Sequence, residues 1–271
     1  MSEDATPPPP PRVVTDAMDP ARAAALAAVL GRPFAPDAPL PPFAHQVYFW
    51  EPLPEAALGR DGHPRVGGLI PDLGLPRRMW AGGRLEFHAP LRPGRPATRT
   101  TTREAVALKQ GRSGPLGFVT LRHEIAQDGR PCVSEWQDLV YRPDPAPDAA
   151  AAPPPPAPPA PAGGTPVLRR AFGEVALFRY SALTFNGHRI HYDREYARTV
   201  EGHAGLVVHG PLLAQVLMLI AHDALPGGLR RFAFRATAPA VDGEELAFVR
   251  DGARLWVAGP DGRLCLSAEA G

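Results

Sequence analysis

The chain has 271 residues, a formal net charge of +1, 44% hydrophobic and 21% charged residues. That composition supports a packed core, offers no basic field to a nucleic acid and carries no acidic tail. Two distant cysteines suggest neither a disulfide framework nor a zinc site, and no apolar run approaches the roughly 18 residues of a membrane span, so a cytoplasmic protein with no nucleic-acid and no membrane partner is expected.

The 36 prolines are unevenly spread. Pro7 to Pro11 mark residues 1–18 as a disordered tail, and the Ala/Pro alternation over 143–164 reads as an extended, mobile linker. These divide the chain into an N-terminal half, 19–142, and a C-terminal half, 165–271. A polar Ala/Arg helix over Asp19–Leu30 is expected as a surface addition. Alternation of apolar and polar residues predicts strands at Gln46–Trp50, Arg84–Phe87, Thr98–Lys109, Phe118–Ile125 and Cys132–Tyr141. Between the first two, Arg65–Trp80 is broken by Gly67, Gly68, Pro71, Gly74 and Pro76, so no regular long helix is expected there. In the second half strands are predicted at Val175–Tyr180, Leu229–Ala236, Glu245–Arg250, Ala253–Ala258 and Leu264–Ala268. Pro211–Asp223 is apolar almost all round, which predicts a buried helix, with proline well placed in its first turn.

The halves share a pattern. Asp128-Gly129-Arg130-Pro131-Cys132-Val133-Ser134 matches Asp261-Gly262-Arg263-Leu264-Cys265-Leu266-Ser267 as D-G-R-x-C-x-S, each with a hairpin-forming Asp-Gly. Upstream, Arg84–Pro90 resembles Arg231–Thr237. Repetition of order and context indicates duplication. Cys132 and Cys265 then become equivalent core positions and not redox partners. A buried helix against curved antiparallel strands is an α+β arrangement.

The densest chemistry lies in Ser181-Ala182-Leu183-Thr184-Phe185-Asn186-Gly187-His188-Arg189-Ile190-His191-Tyr192-Asp193, followed by Val208-His209-Gly210-Pro211. This segment resembles the MaoC-like (R)-specific hydratase and dehydratase family. It is most similar to the branch containing type 2 3-hydroxyacyl-thioester dehydratases and the mesaconyl-CoA and itaconyl-CoA hydratases. The strong match covers about Ser181 to Ala221, and the two-half layout extends it more loosely. The resemblance implies a double hot-dog fold with a degenerate N-terminal helix. It also implies reversible hydration of an enoyl-CoA, with no cofactor beyond the coenzyme A of the substrate. A monomer and a homodimer of such chains are both compatible with it.

Carried over by position, His191 takes the family histidine and Asn186 takes the catalytic aspartate. An amide cannot be a general base at neutral pH, so His191 becomes the main acid/base, Asn186 orients water, and His188 or Asp193 is a candidate second proton carrier. Histidine suits both proton transfers because it titrates near neutrality. Gly210 opens the helix and offers a backbone N–H to the thioester oxygen, with His209 beside it. Arg189, where much of the family has proline, is a candidate for binding a second carboxylate, against an ion pair with Glu195 or Asp193. Asp193 is also read as the N-cap of a helix over Arg194–Val200. Arg194 and Arg198 are candidates for coenzyme A phosphates. His188 and His191 alone give no convincing metal site. His45, His63, His88 and His123 are not expected in catalysis, while Met79 and Trp80 are candidates for lining the acyl pocket. The expected substrate is a short-chain, dicarboxylic enoyl-CoA. The alternatives are a fatty-acid-type dehydratase, a hot-dog thioesterase, which the lack of an acidic residue early in Pro211–Asp223 disfavours, and a non-catalytic acyl-CoA-binding protein.

Overall fold

A computed structural model describes residues 9–111, 114–144 and 156–271. Its helices are α1 (Pro20–Leu30), α2 (Glu174–Leu183), α3 (Arg194–Thr199) and α4 (Gly210–Ala224). Its strands are β1 (Arg12–Asp16), β2 (Arg77–Phe87), β3 (Ala97–Gly111), β4 (Gly114–Gln127), β5 (Arg130–Arg142), β6 (Thr165–Arg170), β7 (Arg231–Ala236), β8 (Leu246–Asp251), β9 (Arg254–Ala258) and β10 (Leu264–Ala270). They form one antiparallel sheet in the order β1-β3-β4-β5-β2-β7-β10-β9-β8-β6. Read outward from the β2–β7 seam, both wings follow the same order, β2-β5-β4-β3-β1 and β7-β10-β9-β8-β6. The repeated D-G-R strings fall on equivalent hairpins, β4–β5 and β9–β10. In the first, Asp128 (φ 52°) and Gly129 (φ 73°) are both left-handed, as a two-residue turn between twisted strands requires. Cys132 and Cys265 are free and buried at equivalent places.

The seam depends on glycine. A Cβ at Gly82 would lie 2.6 Å from the Phe234 carbonyl oxygen, and one at Gly83 2.6 Å from that of Trp136. Any side chain at either position would push β2 away from β7 or β5. Helix α4 packs against β2, β7, β9 and β10, and its Pro211–Leu219 stretch is buried throughout. Each fully buried Leu or Met there contributes about 1.5–3 kcal/mol of apolar transfer.

Several expectations need correction. Val175–Tyr180 is part of helix α2, not a strand. Its buried residues are Leu177, Tyr180 and Ser181, a spacing of three and four that follows the helical period. Gln46–Trp50 is not a strand either. Ala44–Val47 is a 3-10 turn, flanked by Phe43 and Phe49 with positive φ. Phe43, Ala44, Val47, Tyr48 and Phe49 are all buried, so this knot of apolar side chains faces the core without alternation. Helix α1 is no surface addition: Ala23, Leu26, Val29 and Leu30 are buried, and the Arg170 guanidinium donates to the Val29 and Leu30 carbonyls at its C-terminus. Residues 12–16, expected within a disordered tail, pair with Ala97–Thr101 as the edge strand β1. Its counterpart β6 was missed because Pro166 and two arginines obscure the pattern.

Of the expected linker, residues 145–155 lie outside the described residues. Its end is docked: the Pro158 carbonyl accepts from Leu264 N–H at 2.8 Å, and Ala160 N–H donates to Gly262 at 2.8 Å. The stretch 65–76 is irregular, as expected. Its Leu69, Ile70, Leu73 and Leu75 pack on Val119, Leu121, Leu139 and Tyr141 of β4 and β5.

Candidate active site

The segment after α2 folds back on itself before α4 begins. Phe185 turns the chain with φ 51°, and Trp50 stacks on it at 5.2 Å while donating Nε1–H to the Leu183 carbonyl. Asn186 Oδ1 accepts from His188 N–H at 3.0 Å, a side-chain turn that short polar residues form readily. The carboxamide that was expected to orient water therefore first holds this turn. Its Nδ2 has no partner among the described residues.

His191 ends the 3-10 turn Arg189–His191 and is buried. Its Nδ1–H donates to the Val207 carbonyl at 2.7 Å. That bond fixes the tautomer and leaves the Nε2 lone pair free. Burial pushes its pKa down to about 3, against the Val207 hydrogen bond, which raises it, while the neighbouring His63 and His203 lower it further. The ring is thus a neutral imidazole at neutral pH. It stacks on His209 at 3.6 Å. His209 pairs its Nε2 with Ser181 Oγ at 2.8 Å and sits at the N-cap of α4. The next residue, Gly210, has nothing within 4 Å of where a Cβ would project. Pro211 has no N–H, and the first helical bond is Leu213 N–H to the His209 carbonyl. The N–H groups of Gly210 and Leu212 have no protein acceptor among the described residues, so they present the helix dipole to whatever approaches.

Buried polar groups in native proteins are almost always paired. Around the first turns of α4 three are not: His209 Nδ1, the Tyr180 hydroxyl and both amide atoms of Gln215. Tyr180 lies edge-on to His209 at 4.9 Å. These unpaired groups gather where α2 meets the start of α4.

Of the remaining expected residues, His188 belongs to the cluster. Its ring lies 5.4 Å from that of His191, and burial, with the charges of neighbouring histidines, pushes its pKa far down. Arg189 is committed elsewhere: Nη2 lies 2.6 Å from Asp193 Oδ2, and the guanidinium covers the Tyr196 ring at 4.2 Å. Asp193 also accepts from Tyr196 N–H as the N-cap of α3. Arg194 pairs with Asp242 at 2.7 Å. These three act as scaffold around the turn.

Sequence reasoning missed residues from the first half of the chain. The Asp61-Gly62-His63 turn is clamped onto Asn186-Gly187-His188. Arg189 N–H donates to the Asp61 carbonyl at 2.9 Å, and a Cβ on Gly62 would lie 1.9 Å from the Gly187 carbonyl oxygen. Only glycine permits that approach. Asp61 Oδ2 accepts from His63 Nδ1 at 2.9 Å, and the His63 ring lies 4.5 Å from His188. One ligating atom from each of Asp61, His63 and His188 lies within 4.8 Å of the others. Burial and the Arg78 charge lower the His63 pKa, against Asp61, which raises it. Burial opposes ionisation of Asp61, but the His63 hydrogen bonds and charge outweigh it and hold the carboxyl below its usual range. Arg78 of β2 is half-buried, and its guanidinium has no ion-pair or hydrogen-bond partner among the described residues. Nothing local in the sequence linked these residues to the Asn186–His191 turn: the bond from Arg189 to the Arg60 carbonyl spans 129 positions.

The sequence profile of the family described as hydroxyacyl-thioester dehydratase type 2 matches residues 43–242. A mesaconyl-C(4)-CoA hydratase of Chloroflexus aurantiacus is 44% identical over 253 residues, covering 92% of this chain and 89% of that protein. Among solved structures, a MaoC-like dehydratase from Phytophthora capsici superposes with a TM-score of 0.67 at 14% identity, covering 97% and 94% of the two chains. A conserved Mycobacterium tuberculosis protein described as a double hot-dog fold gives 0.59 at 15% identity, covering 98% and 96%. The chain belongs to the hydroxyacyl-thioester dehydratase type 2 family and is a hydro-lyase of acyl thioesters built on the double hot-dog fold.

Proposed function

We propose that the protein adds water reversibly across the double bond of a short dicarboxylic enoyl-CoA of the C4-mesaconyl kind, using side chains and backbone alone, with no metal or organic cofactor. The observation that carries this reading is His191: a buried imidazole with its tautomer fixed by Val207, stacked on His209 at the open start of α4. With the thioester oxygen at the Gly210 and Leu212 N–H groups, negative charge developing on the enolate meets fixed donors and the positive end of a helix. His191 Nε2 is then the group that serves the α-carbon, which takes up a proton during hydration. Asn186 keeps one amide nitrogen for the attacking water.

The acyl group is inferred from the 44%-identical relative and from the charges near the site. In a C4 thioester of mesaconate the free carboxylate sits on the carbon that receives the hydroxyl. Arg189, the first candidate for that carboxylate, already neutralises Asp193. Arg78 is the better candidate: its charge acts on Asp61, His63 and His188, and a planar guanidinium suits a carboxylate. Arg194 is tied to Asp242, so Arg198 is the candidate left for a coenzyme A phosphate.

The test is to follow the enoyl-thioester absorbance with mesaconyl-C4-CoA, itaconyl-CoA and crotonyl-CoA while titrating free thiol. Loss of the band without thiol release, abolished in His191→Ala, supports the hydratase reading. Thiol release with the band chemistry untouched supports a thioesterase.

A further inference from the structure

Hydration requires a group to receive the proton that water gives up, and the family position for a carboxylate holds Asn186. The turn that precedes β2 brings a carboxylate to the site from the other half of the chain. Asp61 accepts from both the backbone N–H and Nδ1 of His63, at 3.0 and 2.9 Å. This arrangement orients the ring and leaves Nε2 as the free lone pair. His63, His188, His191 and His209 then form a row, with ring centroids 4.5, 5.4 and 3.6 Å apart. His63 is the member of this row with a carboxylate behind it. The ring nitrogens of His188 have no hydrogen-bond partner among the described residues, and the paired glycines 62 and 187 lock the two turns together.

We infer that Asp61 and His63 form the carboxylate-backed acid/base pair of this active site, replacing across the two halves of the chain the function that Asn186 has lost. The inference rests on the hydratase reading above. In hydration, His63 Nε2 takes one proton from water as the water oxygen bonds to the β-carbon. The electron pair of the double bond moves onto the thioester oxygen as an enolate. Asp61 stabilises the resulting imidazolium, as the buried aspartate of an Asp–His pair does elsewhere. The proton passes through His188 to His191, whose Nε2 delivers it to the α-carbon as the enolate collapses. One water is consumed; His63 and His191 end in their starting states, and His188, which accepts on one ring nitrogen and releases from the other, ends as the opposite tautomer and resets by proton exchange with water. The groups facing His63 are Asp61, Arg78, His188 and His191, of which Asp61 alone carries negative charge.

The experiment uses the full chain with mesaconyl-C4-CoA, and with crotonyl-CoA as second substrate. His63→Gln is expected to lower kcat by about 10³-fold, within the span of general acid–base effects, with KM changed less than threefold and an unchanged melting temperature. Asp61→Asn removes the charge that raises the His63 pKa. It is expected to lower kcat by 10- to 100-fold and to move the acid limb of kcat/KM to lower pH, a displacement that a merely structural role would not produce. Imidazole added to His63→Ala is expected to restore part of the rate. A folded His63→Gln protein with kcat within threefold of wild type would overturn the inference. So would activity abolished by a chelator and restored by Zn²⁺, which would turn Asp61, His63 and His188 into a metal centre. Wild-type turnover with loss in His191→Ala keeps the hydratase reading whatever these variants do, so the two ideas fail separately.

Discussion

Two groups of buried histidines, one around Glu135 and one around the start of α4, are built differently. In the N-terminal wing, Glu135 accepts from His45 Nε2 at 2.8 Å and from Gln46 Nε2 at 2.9 and 2.8 Å, and His123 Nδ1 meets Thr101 Oγ1 at 2.8 Å. Each of these side chains has a partner already in the protein, although Arg99 Nε and the Tyr141 hydroxyl of the same wing are buried without one. Around α4, by contrast, His209 Nδ1, the Tyr180 hydroxyl and the Gln215 amide face none. Both groups are buried, so burial does not distinguish them. The gathering of unpaired atoms does: paired groups stabilise a fold, and four unpaired atoms meeting around one helix start leave hydrogen-bonding capacity unused.

The largest effect expected from this contrast is on catalysis. His191→Ala should lower kcat by about 10³-fold or more, with little change in thermal stability, measured by enoyl absorbance and by a melt of the same sample. His45→Ala should do the reverse. It strips Glu135 of its imidazole partner in a buried site and should cost about 3 kcal/mol, read by urea unfolding, while kcat per folded molecule stays within twofold. A large loss of kcat in folded His45→Ala would erase the distinction between the two clusters.

Acid should weaken both groups together. Burial lowers the pKa of His123 to about 4 and of His191 to about 3, and lowers those of His63, His188 and His209. A histidine depressed in the folded state binds fewer protons there than in the unfolded chain, so its stabilisation is present above pH 6.5 and is lost as pH falls toward the folded value. Unfolding free energy should therefore drop between pH 7 and pH 5, by on the order of 1–2 kcal/mol for each fully buried ring. A flat profile in urea titrations over that interval would contradict neutral burial.

The smallest effect separates the two arginines. Arg78→Met should reduce kcat/KM for mesaconyl-C4-CoA by about 10-fold or more, roughly one lost charge-assisted contact, and leave crotonyl-CoA within threefold. Arg189→Met should change both substrates alike, because its guanidinium holds Asp193 and covers Tyr196. The opposite ranking would return the carboxylate to Arg189.

Much of this was legible in the sequence. The hairpins at Asp128 and Asp261, the buried α4 and the string Asn186–Asp193 are local patterns, and each lies where its residues indicated. The helix α2 was misread because Val175 and Phe178 are exposed apolar residues that mimic strand alternation. The 3-10 knot at Ala44–Val47 was misread because all its apolar residues turn inward. His63 was set aside because its meaning depends on contact with His188, which the linear chain does not encode. Asp61-Gly62-His63 reads as an ordinary turn until Gly187 is found packed against Gly62.

The central claim is that the open histidine cluster adds water to a carbon–carbon double bond. It is tested most directly by incubating the protein with mesaconyl-C4-CoA in ¹⁸O-labelled water and taking the mass of the products. The account predicts an intact thioester that has gained one labelled water on the β-carbon, absent with His191→Ala. Label appearing instead in a free acid, with coenzyme A released, would contradict it.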